Sequence, residues 1–193
     1  MEKESKKRHY ILVDVEYAEE VAARLRKHYA EVLHRDMPHL DLADWLTCCA
    51  LDCGLTPGNN EVQVCLFHAP TKDRLDNFTP SHLQEELDKQ GFDVPGLTEF
   101  TVNCAVKEEI VQGAPLPVQA ALFILRDQGE GGLTLITDAT AHLQELREAA
   151  QQAPGHPLTL MDMEQQMGTP GHVVLGFSMV HAMGLGQEDL QRG

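Results

Sequence analysis

Tyr10-Ile11-Leu12-Val13-Asp14-Val15-Glu16-Tyr17 decides the fold class. The apolar run from Tyr10 to Val13 suits a strand buried on both faces, the kind that lines a parallel sheet. It stops at Asp14, and from Tyr17 the apolar period changes. Tyr17, Val21, Leu25, Tyr29 and Val32/Leu33 share one face at helical spacing, while Glu19, Glu20, Arg24, Lys27 and Glu31 lie outside that stripe. The spacing predicts a helix over 17–34, with Pro38 as its barrier. A strand feeding directly into a helix is the first half of a βαβ unit.

The rest of the chain repeats that unit. Further strands are expected at 62–67 (VQVCLF), 100–106, 133–136 (LTLI) and 158–161 (LTLM). Helices are expected over 42–53, with Asp41 as N-cap and Gly54 as stop, over 80–90, over 117–127, and from Asp138 to about residue 152. Such alternation implies right-handed crossovers and a three-layer α/β/α domain with a mainly parallel, roughly five-stranded sheet. The stretch His172–Leu185 (HVVLGFSMVHAMGL) reads either as a helix, with Thr169 as N-cap and Pro170 at N1, or as an edge strand; the helix is preferred.

The chain therefore divides into a charged flexible arm (1–8), an α/β domain (9–165) and a C-terminal extension (166–193) that packs on the domain or in an oligomer interface. Met161, Met163, Met167, Met179 and Met183 suit adaptable packing or such an interface.

With 193 residues the chain is long enough for one domain with a real core and short for two. Its net charge of -15 repels bare nucleic acid, so RNA is disfavoured as a partner unless metal ions or a basic patch intervene. Lys72 and Arg74 are too few to form that patch. No run of 18 apolar residues is present, so no membrane span is expected. The charged N-terminus has no secretory pattern, and the five cysteines contain no Cys-x-x-Cys pair, which points to a reduced, cytoplasmic chain. Cys48, Cys49 and Cys53 read as small buried helix residues rather than a zinc site. Walker A, Gly-x-Gly-x-x-Gly, His-Glu-x-x-His and Gly-x-Ser-x-Gly motifs are absent.

Three predicted strands end at or beside an aspartate: Asp14, Asp138 and Asp162. Ligands of open parallel sheets bind beyond the carboxyl ends of the strands. Converging there, the three carboxylates would suit Mg²⁺ or Mn²⁺, hard ions that prefer oxygen. The competing reading makes each aspartate a helix N-cap. His68 ends the second strand and is placed to reach the same rim.

Over 9–165 the chain resembles the PIN-like NYN ribonuclease domains. Ile11 to Tyr17 looks like the family's first strand and its metal-binding aspartate, with Tyr17 where an asparagine is usual. Phe78 to Val94, ending Lys89-Gln90-Gly91-Phe92-Asp93-Val94, is similar to its middle helix and Gly-aromatic-x-Val exit. Leu133 to Leu143 looks like the strand and Gly-Asp-Ser-Asp turn that carry two further acids. There Asp138 matches the first acid, while Thr137 replaces the glycine and Thr140 the second acid. Gln112-Gly113-Ala114-Pro115 stands where the family has Lys-Gly-x-Asp.

The resemblance implies a catalytic and metal-binding role for Asp14 and Asp138, with Asp162, Glu108 or Glu109 substituting for a lost acid. Because two of the four expected acids are missing, it favours a degenerate relative that acts as a binding or assembly module. Such a module would have a homo-oligomeric or protein partner. The alternative is a Mg²⁺- or Mn²⁺-dependent ribonuclease with a reduced carboxylate site.

Overall fold

The computed structural model describes residues 6–96, 98–107, 113–127, 129–138, 140–163 and 171–191. The strands are β1 (Lys7–Asp14), β2 (Leu40–Asp41), β3 (Asn60–His68), β4 (Phe78–Thr79), β5 (Gln90–Val94), β6 (Thr98–Val106), β7 (Gly132–Ile136), β8 (Leu158–Asp162) and β9 (His172–Val174). The helices are α1 (Val15–Leu33), α2 (Leu42–Asp52), α3 (Leu116–Arg126), α4 (Leu143–Gln151), α5 (Leu175–Ala182) and α6 (Gln187–Leu190).

The main sheet has the order β5-β6-β3-β1-β7-β8-β9. All its pairings are parallel except β5 with β6. Counted in chain order, its six parallel strands run 3-2-1-4-5-6, the order of a doubly wound fold. The apolar run of β1 sits at the centre, with Ile11 opposite Val64 on one side and Thr134 on the other.

Alternate residues of each strand serve two cores. Ile11, Val13, Val64 and Met161 pack with α1, α2 and α5 on one face. Leu12, Leu133, Leu135 and Leu160 pack with α3 and α4 on the other. The three-layer, mainly parallel architecture follows from this alternation. Asp41 caps α2 as expected, its Oδ1 accepting the Asp44 N–H at 2.9 Å.

The sheet has seven strands rather than five, and both additions lie at its edges. The helix expected over 80–90 is a single π-helical turn, Leu83–Leu87, followed by β5. Only Leu83 and Leu87 of that segment are buried, enough for one apolar turn. Beyond it the period becomes two, and Phe92 stacks on Phe100 of β6 with ring centroids 4.7 Å apart.

The ambiguous tail is both things in succession. β9 extends the sheet beside β8, and α5 then turns back onto the first core. Trp45 of α2 donates its indole N–H to Ser178 Oγ at 3.1 Å, and Ser178 donates to the Leu175 carbonyl at 2.8 Å. Thr169, Pro170 and Met167 lie outside the described residues, as do Met1–Ser5 of the charged arm. Lys7 and Arg8 already belong to β1. All five cysteines are free.

Candidate functional site at the strand carboxyl ends

The chain leaves β1 through α1, on one face of the sheet, and arrives at β7 through α3, on the other. β1 and β7 are neighbours, so the crevice beyond their carboxyl ends is the topological switch point where such sheets bind ligands. In place of a glycine-rich phosphate turn, this chain carries Asp14-Val15-Glu16 there.

Asp14 is the last residue of β1 and the N-cap of α1, though its bond to the Tyr17 N–H is long at 3.5 Å. Its shorter contacts are elsewhere. Lys107, just past β6, places Nζ 2.9 Å from Asp14 Oδ1 and 2.5 Å from Glu16 Oε2. Thr137, just past β7, donates its hydroxyl to Asp14 Oδ2 at 3.1 Å. The Ala69 N–H, just past β3, donates to Glu16 Oε1 at 2.5 Å. The carboxyl ends of four adjacent strands are thus joined by one ion-pair network.

Its electrostatics are self-consistent. Burial pushes the Glu16 carboxyl up, but the Lys107 ammonium and the Ala69 N–H outweigh it and hold the group below the usual range. Burial pulls Lys107 down, and Glu16 and Asp14 reverse that, so its pKa is raised. Lys107 is therefore a permanent cation facing two carboxylates.

The other predicted acids go different ways. Asp138 is exposed, and its Oδ1 accepts from Thr140 N at 3.2 Å and Thr140 Oγ1 at 2.8 Å, a local turn. Asp162 is 2% exposed and pairs with His172 Nε2 at 2.5 Å across β8 and β9. Tyr17, standing where the resembled family has asparagine, accepts the Met163 N–H at 3.0 Å through its hydroxyl. Burial raises its pKa, and Asp162 and Asp138 add to the effect. His68 is buried; its Nδ1 donates to the Ala69 carbonyl at 2.9 Å, while Nε2 has no partner among the described residues. Glu108, Glu109 and Gln112 lie outside the described residues.

As they stand, these groups do not fit a divalent cation. Among the described residues no three His, Cys, Asp or Glu side chains come together as a metal-binding group. The position between Asp14 and Glu16, where an ion would gain most, holds the Lys107 ammonium. Glu16 and Lys107 were not among the residues singled out from sequence. Their signal was position: Lys107 follows a strand end, as the aspartates do.

Fold and rim together define a doubly wound α/β domain whose switch point carries a carboxylate–lysine network. Residues 4–190 match a family described as Family of unknown function (DUF6621), and the chain belongs to that family. No curated protein and no solved structure matches it. Among the described residues, no helix is long and apolar enough to cross a membrane.

Proposed function

We propose that this domain is a degenerate relative of the PIN/NYN ribonucleases that works as a binding or assembly module. The observation that carries this reading is Lys107, whose ammonium occupies the acidic switch point and forms ion pairs with both carboxylates there. A two-metal nuclease needs those oxygens for its ions. Phe123 on α3 and Phe177 on α5 are 78% and 71% exposed, which supports association through helix faces with a second copy or another protein. The unbridged cysteines support a cytoplasmic setting.

The second reading is a Mg²⁺- or Mn²⁺-dependent ribonuclease, with Asp14 and Asp138 as its acids. The adjacency of Asp138 to Thr137, itself bonded to Asp14, favours it. Calorimetric titration of Mn²⁺ into the wild type and Asp14→Asn separates the two. The binding-module reading expects no heat of binding up to millimolar metal. Wild-type binding that disappears in Asp14→Asn would overturn it and lead to cleavage assays on single-stranded and structured RNA.

A further inference from the structure

α3 is covered on one side only, although its sequence is apolar all round. Leu116 to Leu125 holds one polar side chain, Gln119, and no charge. Helices of that composition are ordinarily buried on every face. Pro117, Val118, Ala121, Leu122 and Leu125 do pack on the sheet, but Phe123 is 78% exposed. α4, in the same layer, turns Gln144, Glu145 and Glu148 to solvent instead. We infer that the outer face of α3 is a two-fold docking surface for a second copy of this chain. This rests on the assembly-module reading and specifies its partner.

A groove of about 710 Å³ runs beside Phe123, with Ala114, Gln119, Leu122, Arg126 and Glu145 among its lining. Knob and groove therefore share one face. A two-fold axis between copies sets each Phe123 into the other copy's groove, the self-complementary contact that closes a dimer.

Charge selects a second copy as the occupant. At -15 per chain, two copies repel over most of their surface, so contact is favoured where charge is absent or balanced. No charged residue occurs from Gly113 to Leu125. On the groove wall Arg126 and Glu145 stand 3.6 Å apart, with side chains 67% and 51% exposed. A pair so exposed contributes little within one chain. About the two-fold axis, Arg126 of each copy meets Glu145 of the other, so the face complements itself. The exposed Phe177 has no such match. α5 carries neither lysine nor arginine, and Asp52 of α2 faces its His181, so two copies meeting there would set carboxylates against each other.

The test is sedimentation velocity of the full-length protein over a concentration series. Self-association is expected in the micromolar range. Phe123→Asp is expected to weaken it by at least about tenfold, and Phe177→Asp to leave it unchanged. Arg126→Glu and Glu145→Arg should each weaken it, because both pairs across the axis become like-charged. Mixed together, those two variants should recover association, since each pair across the axis is then opposite in sign. A role confined to one chain gives no such recovery. The inference is overturned by a monomer up to millimolar protein, by Phe123→Asp associating like wild type, by equal weakening from Phe177→Asp, or by a mixture that stays monomeric. None of these variants touches Asp14, so failure here is distinct from failure of the assembly-module reading, which the Mn²⁺ titration decides.

Discussion

The Lys107 ammonium lies 2.9 Å from Asp14 Oδ1, tying the residue after β6 to the last residue of β1. β3 runs between those strands, so the pair bridges the carboxyl rim of three strands. Both side chains are mostly shielded, at 20% and 15% exposure. Partial burial makes the loss of one partner more costly than the pair itself is stabilising.

Lys107→Met should therefore lower unfolding free energy by roughly 1–3 kcal/mol, leaving Asp14 and Glu16 facing each other uncompensated. Asp14→Asn should also destabilise, and the double variant should lose less than the two single losses combined. Urea unfolding of the four proteins measures this coupling. Strict additivity would mean that the ion pair contributes nothing.

Asp138 is exposed and, among the described residues, bonds within its own turn, through Thr140. Asp138→Asn should leave stability within about 0.5 kcal/mol of wild type, as at ordinary surface positions. A midpoint shift comparable to that of Asp14→Asn would assign Asp138 a structural role instead.

Glu19 and Glu20 are neighbours in α1 with opposite fates. Glu19 is 6% exposed; its carboxylate accepts the Asp76 N–H at 2.7 Å and the Asn77 N–H at 3.1 Å, with Lys72 Nζ 3.3 Å away. Glu20 is exposed. Glu19→Ala should cost roughly 1–3 kcal/mol by orphaning the buried Asn77 N–H and the partly buried Asp76 N–H, and Glu20→Ala less than about 0.5 kcal/mol. Hydrogen exchange should show the Asp76 and Asn77 amides losing protection only in the first variant.

His9 is buried in β1 with Nε2 2.8 Å from Thr134 Oγ1, and burial lowers its pKa to about 4. The unfolded chain binds that proton more tightly, so the stabilisation is complete above the ordinary histidine value and is lost as pH falls towards 4. Between pH 7 and pH 5 this group alone should remove about 2 kcal/mol. His9→Gln should flatten that part of the profile in urea titrations. An unchanged slope would place the titration elsewhere.

Much of the layering was legible because burial imposes a period. A strand covered on both faces must be apolar throughout, as Ile11-Leu12-Val13 is, and a helix on a sheet must carry a stripe, as α1 does. β5 was not legible as a strand. Gln90–Val94 becomes one only because Phe100 offers Phe92 a ring to stack on and β6 offers an open edge. Glu19 lies outside the apolar stripe of α1, and a carboxylate there gives no sign that two distant N–H groups will meet it.

The amino-acid sequence by itself determined the alternation of strands and helices, the double-sided burial of β1 and the aspartates at strand ends. These depend on residues a few positions apart, where side-chain periodicity and capping act. Tertiary structure alone decided which strand ends meet. It set Lys107 against Asp14, 93 residues away, turned Asp162 towards His172 and left Asp138 in solvent. Strand order follows from which faces the crossovers cover, a global packing choice, so the partner of a strand-end carboxylate is written in no local pattern.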